Sequence, residues 1–267
     1  MAQPIKFGTD GWRGVIAADF TFDRVTLVAP IAAQVLEEVY GDRASSRTVL
    51  VGYDRRFLAE EFARAAAEAI QAAGFDVKLS ETYAPTPAYS LVANQTGALG
   101  AVVMTASHNP GKYLGLKVKG AFGGSVSPEV TKKIEARLDQ PLSPAATPGT
   151  LESFDPWPSY CETLKAQVDI DAITNALNQG KLTVFADVMH GAASGGLTRI
   201  LGDAVNEVNP DRDPLFDGGA PEPLPKYIPE LYRQVKTHQR NASGLTVGLV
   251  FDGDSDRVAA MDSQGTF

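Results

Sequence analysis

Short apolar segments that end in polar turns alternate with amphipathic segments along most of this 267-residue chain. The β-branched run TVLVGYD, from Thr48 to Asp54, is a clear example of a predicted strand. The segment from Phe57 to Gly74 carries apolar side chains at helical spacing, and Gly74 is placed to end that helix. Strands that read as nearly continuous apolar runs are buried on both faces. The alternation therefore predicts an α/β protein whose mixed, mainly parallel sheets are covered by helices.

A segment rich in proline, serine and threonine, QPLSPAATPGTLESFDPWP, interrupts this alternation. It shows no clear hydrophobic periodicity, which is typical of a boundary between domains. Strand and helix patterns resume after it, as in KLTVFADVMHGAASGGLTRILG. We therefore predict two consecutive α/β/α domains, formed by residues 1–145 and residues 155–267, and leave open whether the second is complete at its carboxyl end.

The composition predicts a soluble protein of the cytoplasm that binds neither membranes nor nucleic acid. No apolar run approaches the length of a membrane span, and the first residues lack the features of a signal peptide. The single cysteine, Cys161, excludes an intrachain disulfide and a multi-cysteine zinc site. The formal net charge is −8 and no run of lysine or arginine occurs, so nucleic-acid binding is disfavoured. An anionic ligand must then be held by a local cluster, which suits small phosphorylated metabolites.

An acidic turn, VGLVFDGDSDR, follows a predicted strand near the end of the chain. Asp252, Asp254 and Asp256 alternate there, and Gly253 is expected to permit a tight bend. Three such carboxylates can converge on one hard divalent cation, and Arg257 is the adjacent residue that can balance their charge. An EF-hand is excluded because its sixth and twelfth positions would be arginine and serine. A phosphatase with an aspartate nucleophile and a solvated acidic turn are the alternatives, and the strict alternation favours the metal site.

The segment VVMTASHNPGKYLGLKV places Ser107 beside His108 at the end of a predicted buried strand. Acyl transfer would need a histidine that is held by a carboxylate and poised to take the serine proton. A histidine directly after the serine rarely reaches that geometry, and the sequence contains no Gly-x-Ser-x-Gly elbow. Phosphoryl transfer instead depends on a metal ion and cationic side chains, which the acidic turn and Lys117 can provide. We therefore interpret Ser107 as a phosphoryl-transfer residue.

Three segments in this order, FGTDGWRG, TASHNP and FDGDSDR, resemble motifs of the α-D-phosphohexomutase superfamily, in its phosphoglucomutase/phosphomannomutase branch. The resemblance covers nearly all of the chain. It implies consecutive α/β domains around a central cleft. It also implies an intramolecular phosphotransferase, an isomerase that interconverts hexose 1-phosphate and hexose 6-phosphate of glucose or mannose. In such an enzyme a phosphoserine donates to the hexose monophosphate, and the resulting hexose 1,6-bisphosphate reorients before it returns a phosphoryl group.

The resemblance implies a metal centre and a set of cationic side chains. Ser107 would carry the phosphoryl group, and Mg²⁺ would lie among a phosphoserine oxygen and three carboxylates. The implied carboxylate ligands are those of the acidic turn, Asp252, Asp254 and Asp256.

Four further residues receive implied roles from the same resemblance. Lys117 in GLKV would be an acid/base or phosphate-contacting residue, and His108 would assist it. Arg13 in GWRG and Arg257 would steady phosphate or the reacting hydroxyl. Leu114 departs from the asparagine that is common in the family at that position, which weakens the expected local hydrogen bonding.

Two other groups of residues are interpreted as structural. His190, in DVMHGAAS, is expected to be a turn residue and not a ligand. Asp54, Arg55 and Arg56 end a strand, and we expect an ion pair among them that supports the site.

The family has two further domains, with a Gly-Glu-x-Ser-Gly-type and an Arg-Pro-Ser-Gly-Thr-type motif, and neither motif is present here. We therefore expect this chain to represent the amino-terminal half of such an enzyme. Its expected partners are hexose phosphates and hexose 1,6-bisphosphate, with association through the face that the missing domains would cover. The alternatives are a phosphosugar- or metal-binding half-module without turnover, and a Mg²⁺-dependent sugar phosphatase or bisphosphate synthase.

Overall fold

The computed structural model describes residues 3–8, 11–140, 142–240 and 244–267. Thr9 and Asp10 of the FGTDGWRG segment lie outside the described residues. Among the described residues, no helix combines the length and the hydropathy that crossing a bilayer requires.

The chain divides into two compact units. The first consists of Met1–Ala106 and Lys112–Trp157, and the second of Ser107–Gly111 and Pro158–Phe267. Five residues that interrupt the sequence of the first unit therefore belong structurally to the second. We refer to Ser107–Gly111 as the serine loop.

In the described part of the chain, the first unit contains a six-stranded mixed sheet and four α-helices. Its strands are β1 (Trp12–Val15), β2 (Thr48–Tyr53), β3 (Asp76–Ser80), β4 (Gly100–Met104), β5 (Tyr113–Gly120) and β6 (Leu151–Phe154). Its helices are α1 (Phe22–Tyr40), α2 (Ala59–Ala72), α3 (Thr86–Gln95) and α4 (Pro128–Glu135). The strand order is β1-β5-β4-β2-β3-β6, in which β4, β2, β3 and β6 are parallel and β5 runs antiparallel to both of its neighbours.

Helix α2 begins two residues later than its apolar spacing predicts. Leu58 adopts a left-handed conformation with φ 58°, so the chain turns before the helix can begin at Ala59. The other end agrees with the prediction, since Gly74 has φ 88°, which favours glycine and ends the helix.

The second unit is a smaller four-stranded sheet with helices on both faces. Its strands are β7 (Leu182–Asp187), β8 (Asn206–Val208), β9 (Leu245–Phe251) and β10 (Val258–Met261), in the order β10-β9-β7-β8. Its helices are α5 (Trp157–Gln167, which begins at the last residue of the first unit), α6 (Ile170–Asn178), α7 (Gly196–Leu201) and α8 (Pro229–Gln239). Strand β7 is parallel to β8 and β9, whereas β9 and β10 form an antiparallel hairpin.

Successive side chains of β7 point into different cores, as the two-residue period of a strand requires. Phe185 packs in a cluster with Leu231 and Val235 of α8, whereas Val184 and Ala186 belong to the cluster that contains residues of α6. The sheet is therefore covered on both faces. The prediction of two α/β/α domains with mixed, mainly parallel sheets is confirmed.

We predict that Phe62→Ala destabilises the first unit by about 3–5 kcal/mol, because it removes a buried aromatic ring from the core. The Phe62 ring lies 4.9 Å from that of Phe20 and is only 2% exposed. The matched control is Phe57→Ala, which alters a ring that is 52% exposed and should cost much less. Urea unfolding followed by tryptophan fluorescence measures both, since Trp12 and Trp157 are buried in the first unit. Equal losses for the two variants would contradict this packing.

Candidate active site

The acidic turn joins β9 to β10 and places three carboxylates together. Asp252 and Asp254 are fully buried, whereas Asp256 is exposed. One carboxylate oxygen of each lies within 4.8 Å of the other two. The left-handed residue of the turn is Ser255, with φ 59°, so the bend does not depend on a left-handed Gly253. The convergence of the carboxylates follows from a short hairpin connection at the carboxyl end of β9.

Burial makes the negative charge of Asp252 costly. Its pKa rises to about 6, first because the group is buried and then because of the neighbouring charges of Asp254 and Asp256, while Arg257 opposes the shift. A positive partner therefore favours the ionised form of Asp252.

Arg257 supplies part of that positive charge. Its Nη2 and Nε donate hydrogen bonds to Asp252 Oδ2 at 2.6 and 3.1 Å, and its backbone N–H donates to Asp252 Oδ1 at 3.1 Å. Its side chain remains 41% exposed, so the guanidinium group lies at the edge of the turn. Ion pairs between arginine and a buried carboxylate are among the stronger charge-assisted hydrogen bonds.

Ser107 lies directly against the acidic turn. Its Oγ donates to Asp252 Oδ2 at 2.9 Å and accepts from Arg257 Nη2 at 2.9 Å. The side chain is buried, and the backbone is left-handed with φ 54°, an unusual conformation for serine that is often found at functional sites. His108 Nδ1 lies 3.4 Å from the same Oγ. The structure thus brings together six of the predicted site residues: Ser107, His108, Asp252, Asp254, Asp256 and Arg257.

Gly253 is required by close packing between loops. A Cβ atom on Gly253 would lie 2.5 Å from the Ser107 carbonyl oxygen and 2.9 Å from Pro221 Cγ. Its carbonyl accepts a hydrogen bond from Ala192 N–H at 2.9 Å, and a Cβ on Gly191 would lie 2.7 Å from that oxygen. The serine loop, the acidic turn and the turn after β7 are therefore packed backbone against backbone. Sequence reasoning missed this supporting role of Gly191, for which the glycine in DVMHGAAS is the available signal.

The serine loop also rests on a second segment that the sequence analysis did not single out. Gly111 is so close to the Pro214 carbonyl oxygen that a Cβ atom there would collide with it. Glycine at this position lets the loop pack against the segment from Asp213 to Asp217.

Arg13 and Lys117 belong to the first unit, on neighbouring strands. Arg13 of β1 pairs with Gly115 of β5, and Lys117 follows two residues later on β5. Residues two apart on a strand share a face, so the two cationic side chains are on the same face of this sheet. A Cβ on Gly115 would lie 3.0 Å from Arg13 Cγ, which is consistent with that placement. Lys117 is buried.

The structure also contains the ion pair that the GYDRR segment predicts. Arg56 Nε lies 3.3 Å from Asp54 Oδ2 at the end of β2, with both side chains buried. Arg55 lies over the ring of Tyr83, 4.8 Å from its centroid. Arg56 Nη1 also donates to the Tyr113 carbonyl at 3.2 Å, which ties the ends of β2 and β5 together.

The acidic turn and the serine loop fit a magnesium ion. Every candidate ligand atom is oxygen, from Ser107 and from three carboxylates, and Mg²⁺ prefers such hard donors. Two of these carboxylates are fully buried, and the raised pKa of Asp252 reflects first its burial and then repulsion from Asp254 and Asp256, which a divalent cation would relieve.

Comparison with known proteins identifies one family along both units. Residues 4–144 match the family described as "Phosphoglucomutase/phosphomannomutase, alpha/beta/alpha domain I". Residues 158–265 match "alpha/beta/alpha domain II" of the same family.

Individual relatives agree with this family match. The chain is 29% identical over 271 residues to a phosphoglucosamine mutase of Levilactobacillus brevis and 33% identical over 268 residues to one of Rhodococcus jostii. Each alignment covers 97% of this chain and 56% of the relative, so the chain spans about half the length of these curated relatives. A crystal structure from Thermus thermophilus, of a protein provisionally named a phosphomannomutase, has 36% identity and a TM-score of 0.83. It covers 100% of this chain, which spans 59% of that protein.

We predict that Asp254→Asn weakens Mg²⁺ binding at least about tenfold. Substitution of a residue that only hydrogen-bonds to a metal ligand already weakens metal affinity by about that factor. The substitution removes a buried charge from the turn with little change in volume. The matched control is Asp203→Asn, which changes an exposed carboxylate outside the turn. Isothermal titration of Mg²⁺ into each variant measures the affinities. An unchanged affinity in Asp254→Asn would mean that the acidic turn does not hold the ion.

Proposed function

This chain belongs to the phosphoglucomutase/phosphomannomutase family, and from this premise we propose that it forms the phosphoserine half of an intramolecular phosphotransferase acting on hexose phosphates. The observation that carries the proposal is the position of Ser107 Oγ, 2.9 Å from both Asp252 Oδ2 and Arg257 Nη2. A serine hydroxyl held between an acidic metal-type turn and a guanidinium group suits phosphoryl transfer, which depends on positioning and charge neutralisation.

The immediate surroundings of Ser107 favour an acceptor and donor of phosphoryl groups. Its hydroxyl proton is directed to Asp252 Oδ2, and Arg257 Nη2 stabilises negative charge on the same Oγ. In the transfer that we propose, a new bond forms between Ser107 Oγ and phosphorus, and the bond between phosphorus and the sugar oxygen breaks. The hydroxyl proton leaves towards the Asp252 carboxylate, and the freed sugar oxygen takes up a proton.

Oxygen atoms of Ser107, Asp252, Asp254 and Asp256 would hold Mg²⁺. When bound, the ion supplies charge neutralisation for the phosphoryl oxygens. Arg257 lies at the rim of this group, where its exposed guanidinium can also bind a phosphate.

In the first unit, Arg13 and Lys117 would interact with the sugar phosphate. They share one face of the sheet, and two neighbouring cations on one face suit a phosphorylated sugar. We propose that Lys117 exchanges a proton with a substrate hydroxyl and that Arg13 binds phosphate. His108, beside the Ser107 hydroxyl, would assist.

We propose a hexose phosphate as the substrate class and hexose 1,6-bisphosphate as the phosphoryl donor. The relatives named phosphoglucosamine mutase extend the sugars to be tested from glucose and mannose to glucosamine. Because the chain spans about half of those relatives, interconversion of the 1- and 6-phosphates is proposed for the complete protein, and phosphoserine formation for this chain.

We expect intact mass to increase by one phosphoryl group after incubation of the chain with Mg²⁺ and glucose 1,6-bisphosphate. Ser107→Ala should abolish the gain, because it removes the accepting oxygen. Ser153→Ala, which alters an exposed serine of β6, should retain it. A gain in Ser107→Ala would exclude Ser107 as the acceptor. Steady release of inorganic phosphate would instead indicate a phosphatase, and sugar binding with no mass gain a binding module.

A second prediction concerns the rate of that transfer. Arg257→Ala should slow phosphoryl acceptance about 10²-fold, the usual loss when one donor that stabilises developing charge is removed. Arg257→Lys should recover part of the rate, because it restores the charge without the paired hydrogen bonds to Asp252. Arg233→Ala changes an exposed arginine of α8 and is the control. Time-resolved intact mass measures all three, and a wild-type rate in Arg257→Ala would contradict the role assigned to this side chain.

A further inference from the structure

The turn that follows β7 presents a histidine to a second group of acidic side chains. His190 lies in a turn, with φ 57°, as expected from the sequence, but its contacts depart from the expectation that it is not a ligand. Its Nδ1 lies 2.9 Å from the Asp211 carbonyl oxygen, and its Nε2 lies 3.2 Å from Asp217 Oδ2. None of these side chains belongs to the acidic turn.

The hydrogen-bond partners of His190 determine its chemistry. A carbonyl oxygen can only accept, so Nδ1 must carry a hydrogen and donate it to Asp211. In the neutral ring, Nε2 then presents a lone pair to the carboxylate of Asp217, which is also an acceptor. Two acceptors that face each other at 3.2 Å require a cation between them, either a proton on Nε2 or a metal ion.

Asp213 adds a third ligand atom to this pair. One ligand atom each from His190, Asp213 and Asp217 lies within 4.8 Å of the other two. The Asp213 carboxylate is oriented by the backbone N–H groups of Leu215 and Asp217, which donate to its two oxygens at 2.9 and 2.7 Å. Each carboxylate oxygen retains a second lone pair for a cation.

A buried carboxylate beside this group points independently to a missing positive charge. Asp187, at the end of β7, is fully buried, and its Oδ1 accepts from Met189 N–H and Asn209 Nδ2. Among the described residues, no hydrogen-bond partner reaches its Oδ2. Met189 is the residue before His190, and the Asn209 carbonyl accepts from His190 N–H at 2.9 Å, so the Asp187 carboxylate lies beside His190. An unpartnered buried carboxylate oxygen is costly, and a cation held by the neighbouring side chains would reduce that cost.

His190 and Asp217 border a cavity of about 210 Å³, which offers room for an ion and its remaining water ligands. His190, Asn209, Asp217, Lys226 and Tyr227 are among the residues that line it.

We propose that His190, Asp213 and Asp217 form a binding site for a divalent transition-metal ion, with Zn²⁺ as the best match. A single imidazole nitrogen with two carboxylates is a borderline donor set that favours zinc over magnesium. The hydrogen bond from Nδ1 to the Asp211 carbonyl is the usual outer partner of a metal-binding histidine, which orients the ring and its free nitrogen. The acidic turn, with oxygen ligands alone, favours Mg²⁺ instead.

The position of this site connects it to the serine loop. Pro214, one residue after Asp213, packs its carbonyl oxygen against Gly111. A metal ion that fixes the Asp213–Asp217 segment would therefore stiffen the surface on which the serine loop rests.

Zinc titration of the metal-stripped full chain in saturating Mg²⁺ tests the proposal. We expect one zinc ion per wild-type chain by isothermal titration calorimetry. Asp217→Asn should weaken zinc affinity at least about tenfold, because substitutions at residues that hold metal ligands in place already weaken metal affinity by about that factor. Because the Asp217 side chain is 77% exposed, this variant leaves the fold intact. Asp211→Asn, which keeps the backbone carbonyl used by His190, is the matched control and should bind zinc within about twofold of wild type.

A second comparison separates the two metal sites. Asp254→Asn should leave zinc affinity unchanged, because Asp254 belongs to the acidic turn. Loss of zinc binding in Asp254→Asn, equal zinc affinities for wild type and Asp217→Asn, or no zinc bound by wild type in saturating Mg²⁺ would each overturn the proposal.

Discussion

The buried carboxylate of Asp252 requires positive charge and hydrogen-bond donors from the residues around it. A charge in that position needs positive partners, and burial together with Asp254 and Asp256 raises its pKa to about 6. Arg257, at the end of the same turn, supplies part of the positive charge through a hydrogen bond to Asp252 Oδ2. The Ser107 hydroxyl donates a hydrogen bond to the same oxygen. The serine is thereby held where a divalent cation and a phosphoryl group would meet. The proposed chemistry depends on this local charge balance, since the chain as a whole is acidic.

Backbone contacts hold the loops around that charge. Gly253 fits against the Ser107 carbonyl, Gly191 fits against Gly253, and Gly111 fits against Pro214. Each contact is too close for a Cβ atom, so four separate segments of the sequence pack at backbone distance. This packing explains why the serine loop belongs to the second unit although the strands on either side of it build the first.

Much of this arrangement was predictable from local patterns. The alternation of apolar and amphipathic segments predicted the α/β architecture, and Gly74 was correctly expected to end α2. The alternating carboxylates predicted a convergent turn, because a short hairpin leaves their side chains little room to diverge. The left-handed backbone conformations of Leu58 and Ser255 were not predicted, since residues other than glycine adopt such conformations mainly where the surrounding structure imposes them.

The sequence by itself determined the order of strands and helices, the acidic turn and the resemblance to a family, because these are properties of neighbouring residues. The resemblance implied that Ser107 lies near the acidic turn, but only the tertiary structure decided its direct contact with Asp252, 145 residues away, and the contact between His190 and Asp217. The tertiary structure also decided which glycines allow two backbone segments to pack closely, and which charged side chains are buried. Such features depend on contacts between distant segments, and residue type and spacing carry no measure of those distances or of the burial that sets their energies.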